Sequence, residues 1–471
     1  MSTTLVPDTT ITTATFPVVN PADGSVVATV PDSTPEDAER ALDAARAASA
    51  SWAALPQRER SGILLRAFSL MIERRDELAT LITRENGKAR PDALAEVAYA
   101  AEYFRWYAEQ AVRVRGELFD SPSGSNKVLV THEPVGVCVL VTPWNFPAAM
   151  ATRKIAPALA VGCTAILKPA AETPLTAIAI AGILAEAGLP DGVLTVLPTT
   201  RAGRLVDRLL EDEDVRMLSF TGSTEVGRHL LERASRRVLR TAMELGGNAP
   251  FVVLDDADLD AALDGALVAK MRNAGQACTA ANRFYVHDDL HDAFAAALAE
   301  RMSAQRVGDG IRPEIEVGPL INAEARDKVH ELVEDAVARG ARVLTGGAPV
   351  DGPGFFYAPT VLVDVPADAR ILREEVFGPV APIVRFSSAD DAIEVANDTI
   401  HGLVSYLYTG DLARGLALAG RLQAGMVALN RGLVSDPAAP FGGVKESGLG
   451  REGSTEGLHE YLETKYVATT W

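Results

Sequence analysis

Residues 135–169 read VGVCVLVTPWNFPAAMATRKIAPALAVGCTAILKP, in which a longer segment separates two short apolar runs. The runs Val135–Val141 and Ala165–Leu167 have the composition of buried strands, and Ala149–Ala160 between them is predicted to be a helix. A strand, a returning helix and a second strand form the repeating unit of parallel sheets. The stretch therefore predicts an α/β fold with a doubly wound parallel sheet.

The same alternation continues along the chain beyond this unit. Further candidate strands are Leu194–Leu197, Met217–Phe220, Thr241–Met243 and Phe251–Leu254. Candidate helices are Leu175–Ala187, Leu259–Asn273, His291–Arg306 and Ala323–Arg339. Because a second alternating region opens at Phe251, we predict two α/β domains with a cleft between them.

Three segments do not follow this alternation. Residues 113–119 and 128–131 alternate apolar and polar side chains, which predicts a two-stranded ribbon with little core of its own. Such a ribbon needs a surface to pack on, for example another subunit. Residues 460–471 are also strand-like and are expected to complete that sheet, whereas residues 1–16 lack apolar periodicity and predict a loosely held arm.

Composition limits the function classes. The chain has 471 residues, 48% of them hydrophobic and 23% charged, which is ordinary for a globular enzyme. Its formal net charge of −18 argues against a nucleic-acid partner, and an anionic substrate would have to be held by local cations. Three widely spaced cysteines show no metal-ligand spacing and fit a reducing compartment. We expect a cytoplasmic protein with no membrane span and no metal site.

Cys278, in the run Gly275–Thr279, is the candidate nucleophile. A buried structural role is the usual fate of a free cysteine and is expected for Cys138 and Cys163, but the neighbours of Cys278 are polar or small. Glu244, which precedes two glycines, is the candidate general base, with a loop salt bridge as the alternative. A thiol and a mobile carboxylate are what covalent oxidation of an aldehyde requires.

Other motifs offer groups for an oxyanion and a dinucleotide. Asn145 follows a candidate strand and could donate to an oxyanion, although an Asx turn would also explain it. No Gly-x-Gly-x-x-Gly fingerprint follows a strand, but Gly222 joins a strand to a helix whose first N–H groups suit a pyrophosphate. Lys168 offers a cation, and Glu375 and Phe377 offer a carboxylate for a ribose and a ring for a nicotinamide.

Taken in order, these segments closely resemble the aldehyde dehydrogenase superfamily over nearly the whole chain. The matching runs are residues 142–147, 166–169, 220–227, 243–250, 273–279, 374–379 and 440–453. The resemblance implies that Cys278 is the nucleophile, that Glu244 is the general base, and that Asn145 and the Cys278 backbone amide form an oxyanion hole. It also implies NAD or NADP as cofactor, and a homodimer or homotetramer assembled through the ribbon. The residues expected at the cofactor are Trp144, Lys168, Ala171, Gly222, Ser223, Glu375 and Phe377.

Within that superfamily the chain is most similar to the branch that oxidises succinate semialdehyde. Arg153 and Arg272 match the pair that holds the far carboxylate of the substrate in that branch, and Ser435 would assist. Two guanidinium groups can form charge-assisted hydrogen bonds with a carboxylate. The alternative is that either arginine forms an internal salt bridge.

Two positions depart from the branch. Ala280 replaces a cysteine that some members carry two residues after the nucleophile, which excludes a disulfide switch by that route. Ala171 stands where strongly NAD-selective relatives carry a glutamate, so NADP should be accepted. Glu172, the next residue, leaves the order of preference between NADP and NAD open.

We therefore predict oxidation of succinate semialdehyde to succinate through a thiohemiacetal and then a thioester on Cys278. The alternatives are glutarate semialdehyde or broad aliphatic or aromatic aldehydes as substrate, acyl transfer to coenzyme A, and an inactive relative that serves as a binding protein. The predicted Rossmann-like cofactor domain comprises residues 1–112 and 133–245, and the catalytic domain residues 246–446. Residues 113–132 and 455–471 are predicted to form the oligomerisation ribbon and the C-terminal strand.

Overall fold

The computed structural model describes residues 14–471. The strands, in chain order, are β1 (Thr15–Val19), β2 (Val26–Pro31), β3 (Glu117–Asp120), β4 (Lys127–Pro134), β5 (Val137–Val141), β6 (Thr164–Lys168), β7 (Leu194–Val196), β8 (Val215–Thr221), β9 (Arg240–Glu244), β10 (Ala249–Val253), β11 (Ala281–His287), β12 (Arg342–Thr345), β13 (Thr360–Val363), β14 (Val380–Phe386), β15 (His401–Gly402), β16 (Val404–Tyr408), β17 (Met426–Leu429), β18 (Val444–Lys445), β19 (Gly448–Leu449) and β20 (Leu462–Thr469). The α-helices are α1 (Pro35–Ala54), α2 (Gln57–Glu73), α3 (Arg75–Asn86), α4 (Arg90–Ala111), α5 (Pro147–Val161), α6 (Pro174–Glu186), α7 (Ala202–Glu211), α8 (Thr224–Ser235), α9 (Leu259–Met271), α10 (Asp288–Ser303), α11 (Ala323–Ala338), α12 (Ala389–Asn397), α13 (Leu412–Ala419) and α14 (Glu456–His459). Short 3-10 helices span Arg272–Gly275 and Arg370–Leu372.

The first large sheet has six strands in the order β19-β9-β8-β5-β6-β7. All neighbours are parallel except β19, which runs antiparallel to β9 at the edge. Every residue of β5 and β6 is buried, because helices cover both faces of the sheet. The unit predicted from residues 135–169 thus lies in the middle of this sheet.

The second large sheet has seven strands in the order β12-β13-β14-β11-β10-β16-β17. It is parallel except for the edge strand β12, which is antiparallel to β13. Each sheet is covered by its own clusters of buried apolar side chains. The predicted α/β fold with two doubly wound sheets is confirmed.

Helix α5 is buried on all sides, from Pro147 at its first turn to Val161. Gly162 ends it in the left-handed conformation at φ 103°, which glycine adopts without steric cost. A helix that is buried all round normally carries apolar side chains only. The charged side chains of Arg153 and Lys154 therefore need partners inside the protein.

The ribbon is the smallest of the predicted units. Strands β20, β4 and β3 form a three-stranded antiparallel sheet, so the C-terminal strand completes the ribbon as predicted. Its exposed apolar side chains are Leu118, Phe119, Leu129, Tyr466 and Val467.

The prediction that residues 1–16 form a loosely held arm is wrong for the last residues of that segment. β1 begins at Thr15 and pairs with β2, and Phe16 is buried against Ile178. Residues 1–13 lie outside the described part of the chain. Among residues 14–471, no helix has the length and apolarity needed to cross a bilayer.

Candidate active site

Cys278 follows a short 3-10 helix, and tertiary contacts determine the backbone of that helix. Asn273 and Ala274 have φ values of 52° and 53°, in the left-handed region that costs energy for residues other than glycine. The predicted helix Leu259–Asn273 therefore ends at Met271, two residues early. The buried Gln276 side chain ties the loop to the segment before α11, since it accepts a hydrogen bond from the Ile321 N–H at 2.9 Å.

The Cys278 side chain is half-buried in its loop. Burial raises its pKa to about 12, and the nearby carboxyl groups of Glu375 and Glu244 raise it as well. The guanidinium groups of Arg153 and Arg272 lower it, so both arginines lie close enough to act on the sulfur electrostatically.

Asn145 lies beside the Cys278 loop, in the turn between β5 and α5. Its side-chain Nδ2 donates to the Gln276 carbonyl at 3.2 Å, and its Oδ1 has no partner within residues 14–471. Its backbone carbonyl accepts from Asn273 Nδ2 at 2.9 Å and from Lys88 Nζ at 2.8 Å. The structure thus places the predicted oxyanion donor, Asn145, against the loop that carries the predicted nucleophile.

Glu244 is the last residue of β9 and is 3% exposed. One of its carboxyl oxygens, Oε2, has no hydrogen-bond partner in the described chain. Burial raises the pKa of Glu244 well above its usual value, and the nearby carboxylate of Glu452 raises it further. A carboxyl with a raised pKa and a free oxygen is suited to receive a proton.

Glu452 is the residue that sequence reasoning missed. It is 5% exposed and forms ion pairs with Arg153 at 2.5 Å and with Lys154 at 2.6 Å. Burial alone would raise the pKa of Glu452, but the two cations hold it below its ordinary value. The adjacent charges of Arg153 and Lys154 within an apolar helix were the signal in the sequence, because two buried cations require a counter-charge.

The two arginines predicted to hold a substrate carboxylate differ in their surroundings. Arg153 is 1% exposed, is paired with Glu452 and lies 4.3 Å from the centre of the Phe441 ring. Arg272 forms no ion pair within residues 14–471; its Nη1 lies 3.5 Å from Ser435 Oγ, and its guanidinium lies over the Phe146 ring at 4.8 Å. The structure therefore brings Arg272 and Ser435 together, and the nearest carboxyl that acts on this guanidinium electrostatically, Asp92, forms no ion pair with it.

The residues predicted to hold a dinucleotide line the C-terminal ends of the first sheet. Ser223 caps α8, where the first N–H groups of a helix lack partners. Lys168 is 7% exposed at the end of β6, and its ammonium has neither an ion pair nor a hydrogen bond among the described residues. Burial lowers the pKa of Lys168 to about 8. Free donors and a buried, unpaired cation fit the hydroxyl groups and phosphates of a dinucleotide.

The remaining predicted cofactor residues are held by contacts of several kinds. Glu375 Oε1 accepts from the Gly247 N–H at 3.1 Å, and burial raises the pKa of Glu375 to about 7. The rings of Trp144 and Phe377 meet edge to face, with centroids 5.5 Å apart. Ala171 packs at the edge of a small apolar cluster that contains Ile178. The remaining member, Gly222, is positioned by a backbone hydrogen bond in which its N–H donates to the Glu244 carbonyl at 3.0 Å.

Comparisons with known proteins agree with this geometry. The sequence profile of the aldehyde dehydrogenase family matches residues 9–467. A succinate-semialdehyde dehydrogenase of Paenarthrobacter nicotinovorans is 54% identical, with 94% of this chain and 98% of that protein covered. A glutarate-semialdehyde dehydrogenase of Pseudomonas putida is 48% identical, with coverage of 96% and 94%. The crystal structure of an NADP-dependent enzyme of Escherichia coli superposes with a TM-score of 0.96 at 46% identity, covering 97% of this chain and 95% of that one.

Proposed function

The chain belongs to the aldehyde dehydrogenase family, and we propose that it oxidises succinate semialdehyde to succinate with NADP or NAD. The observation that carries this substrate is the guanidinium of Arg272, which forms no ion pair within residues 14–471 and lies beside Ser435. A carboxylate at the far end of the substrate would pair with it through charge-assisted hydrogen bonds. The similar proteins named for semialdehydes of dicarboxylic acids support the same class of substrate.

The proposed mechanism assigns one step to each group around Cys278. The Cys278 thiol gives up its proton to solvent water as its sulfur adds to the aldehyde carbon, and the Asn145 amide and the Cys278 N–H stabilise the oxyanion of the thiohemiacetal. A cofactor bound beside Cys278 would supply the hydride acceptor, and loss of hydride from the thiohemiacetal carbon would convert it to a thioester. Glu244 then takes a proton from a water molecule that attacks the thioester and releases succinate.

The groups proposed to hold the cofactor are the first turn of α8 behind Gly222 and Ser223, the ammonium of Lys168 and the carboxyl of Glu375. Ala171 places no carboxylate near the adenosine ribose, so a 2′-phosphate meets no charge repulsion from this position. The NADP-dependent enzyme among the similar structures supports acceptance of NADP.

Glutarate semialdehyde is the second candidate substrate, because a 48% identical relative is named for it. It is one methylene longer than succinate semialdehyde, and one methylene changes kcat/KM by about 10- to 200-fold in a shaped pocket. Both candidates place the same carboxylate against Arg272.

A homodimer or homotetramer is part of the proposal. The ribbon exposes Leu118 at 58% and Tyr466 at 59%, and a ribbon of three strands has little core of its own. The domain boundaries predicted from the sequence also remain proposals, with the cofactor and catalytic domains meeting at the Cys278 loop.

The test is a steady-state assay of hydride transfer with succinate semialdehyde, glutarate semialdehyde and butanal, each with NADP and with NAD. We expect kcat/KM for the preferred semialdehyde to exceed that for butanal by at least about 100-fold, since butanal lacks the carboxylate. Equal values for all three aldehydes would refute the proposed substrate class. Loss of all activity in Cys278→Ser is the control for the chemistry.

A further inference from the structure

Lys88 lies inside the protein next to the candidate site. It is 1% exposed and precedes α4, and its ammonium pairs with Glu96 in the second turn of that helix. The same ammonium donates to the Asn145 carbonyl at 2.8 Å and lies 3.9 Å from the centre of the Phe146 ring. Lys88 therefore holds the backbone at the residue proposed to stabilise the oxyanion.

Glu96 holds the other side of the same turn. Its Oε1 accepts from the Ala148 N–H at 2.8 Å and from the Ala149 N–H at 3.3 Å. These are free donors of the first turn of α5, and a carboxylate there is favoured by the helix dipole. The ion pair of Lys88 and Glu96 thus fixes the chain both at Asn145 and at the start of the following helix.

Asp92, in the first turn of α4, reaches the loop that carries Cys278. Its carboxylate accepts from the Asn273 N–H at 2.7 Å, at the residue whose φ is 52°. Asn273 in turn donates its Nδ2 to the Asn145 carbonyl at 2.9 Å. One end of α4 therefore contacts both the Asn145 turn and the strained loop of the nucleophile.

Stability alone explains this arrangement poorly. A buried ion pair adds little net stability compared with apolar side chains of the same size, because both charges lose their hydration. Here Lys88 binds the carbonyl of Asn145, and Asp92 binds the N–H of Asn273. These two backbone groups determine where the proposed catalytic atoms lie.

We propose that Lys88 and Asp92 are positioning residues that set the Asn145 amide against Cys278. This inference rests on the proposed roles of Asn145 and Cys278. Neither residue needs to touch the substrate, since each acts through a backbone group of the catalytic loop or turn.

The expected effect follows from the precision that an oxyanion site requires. Loss of one oxyanion donor lowers kcat about 10²- to 10³-fold, and a displacement of about 1 Å lowers the rate on the order of 10²-fold. Lys88→Met keeps the length of the side chain and removes its charge. We expect it to lower kcat/KM about 100-fold for both semialdehyde and butanal, with no change in the dissociation constant of the cofactor.

The deciding experiment is a double-mutant cycle of Lys88→Met with Asn145→Ala. If Lys88 acts through Asn145, the change at Lys88 costs about 100-fold in the parent and less than about threefold in the Asn145→Ala background. Losses that multiply in the double variant, or a Lys88→Met variant with full activity, would overturn the proposal. If Asn145→Ala itself oxidises aldehydes at the parental rate, the proposed function of Asn145 has failed instead.

A matched control and a second variant keep the result interpretable. Arg60 is a buried cation of the same domain that donates to backbone carbonyls, to Ala160 at 3.0 Å and to Ala53 at 3.2 Å, away from Asn145. Arg60→Met should lower the melting temperature and leave kcat/KM unchanged. Should Lys88→Met fail to fold, Asp92→Ala replaces it in the cycle. Asp92→Asn, which keeps an acceptor for the Asn273 N–H, should restore most of the activity, and failure of that rescue contradicts the inference.

Discussion

Replacement of Arg272 by alanine should change the substrate preference without disabling the enzyme. A hydrogen bond between charged groups contributes about 1.5–3 kcal/mol. Because Arg272 has no ion-pair partner within 4 Å among residues 14–471, its removal breaks no ion pair and takes from the buried Asp92 only a more distant positive charge. A loss of about 1.5–3 kcal/mol corresponds to a factor of about 10 to 150. We therefore expect kcat/KM for succinate semialdehyde to fall about 10- to 150-fold.

Butanal measures the same variant without the carboxylate. Its kcat/KM should stay within about threefold of the parent, since an uncharged aldehyde makes no ion pair with Arg272. Arg272→Lys serves as the matched variant, because it keeps the positive charge and loses the planar fork. It should lie between the parent and the alanine variant for succinate semialdehyde.

Arg153→Ala provides the contrast, because Arg153 is half of a buried ion pair with Glu452. Breaking a buried pair costs about 3–5 kcal/mol, and the lower end applies here because Lys154 still faces Glu452. At about 2–4 °C per kcal/mol, the melting temperature should fall by about 6–12 °C.

Activity should fall for both aldehydes in Arg153→Ala, because the electrostatics around Glu244 and Cys278 change. Equal slowing of both aldehydes in Arg272→Ala would refute the pairing of Arg272 with the substrate carboxylate. Slowing of the semialdehyde alone in Arg153→Ala, at an unchanged melting temperature, would refute the structural role given to Arg153.

Three further outcomes follow from the charges of the site. The rate of alkylation of Cys278 by iodoacetamide in the free enzyme should rise about tenfold per pH unit between pH 7 and 9, because its pKa is raised to about 12 and the thiolate fraction grows with pH. A plateau of this rate near pH 7 would contradict the prediction. Glu452→Gln should move the acid limb of the kcat–pH profile lower by about one pH unit, because loss of the neighbouring negative charge lowers the pKa of Glu244. An acid limb at the parental pH would exclude this electrostatic interaction between Glu452 and Glu244. Ala171→Glu should reduce kcat/KM with NADP relative to NAD on the order of 100-fold, as expected if the new carboxylate and the 2′-phosphate are about 5 Å apart. An unchanged ratio would place the 2′-phosphate elsewhere.

The fold could be predicted because its central strands are buried on both faces. Runs such as Val137–Val141 and Thr164–Lys168 contain little but apolar residues, and parallel sheets covered by helices require this. The strand at the C-terminus was predictable from its strand-like sequence. The strand Thr15–Val19 was not, because Pro17 interrupts its short apolar run.

The parts of the site that could not be predicted depend on contacts between distant residues. Glu452 lies about 300 positions from Arg153, and no local pattern shows that the two charges meet. The left-handed backbone continues from Asn273 into Ala274, which disfavours it, and the Asn273 N–H is held by Asp92, which is 181 positions away. Local propensity extended the helix to Asn273, and a tertiary hydrogen bond ended it earlier.

The site attracts an anion even though the chain carries a net charge of −18, because net charge and local charge are separate quantities. Three cations, Arg153, Lys154 and Arg272, lie near Cys278 or its neighbours, and the Glu452 carboxylate offsets part of their charge. Glu244 would offset more of it, but burial and Glu452 raise its pKa and keep it protonated over a wider pH range. The guanidinium of Arg272 therefore keeps its positive field while the substrate binds, and Glu244 needs to ionise only when it activates water.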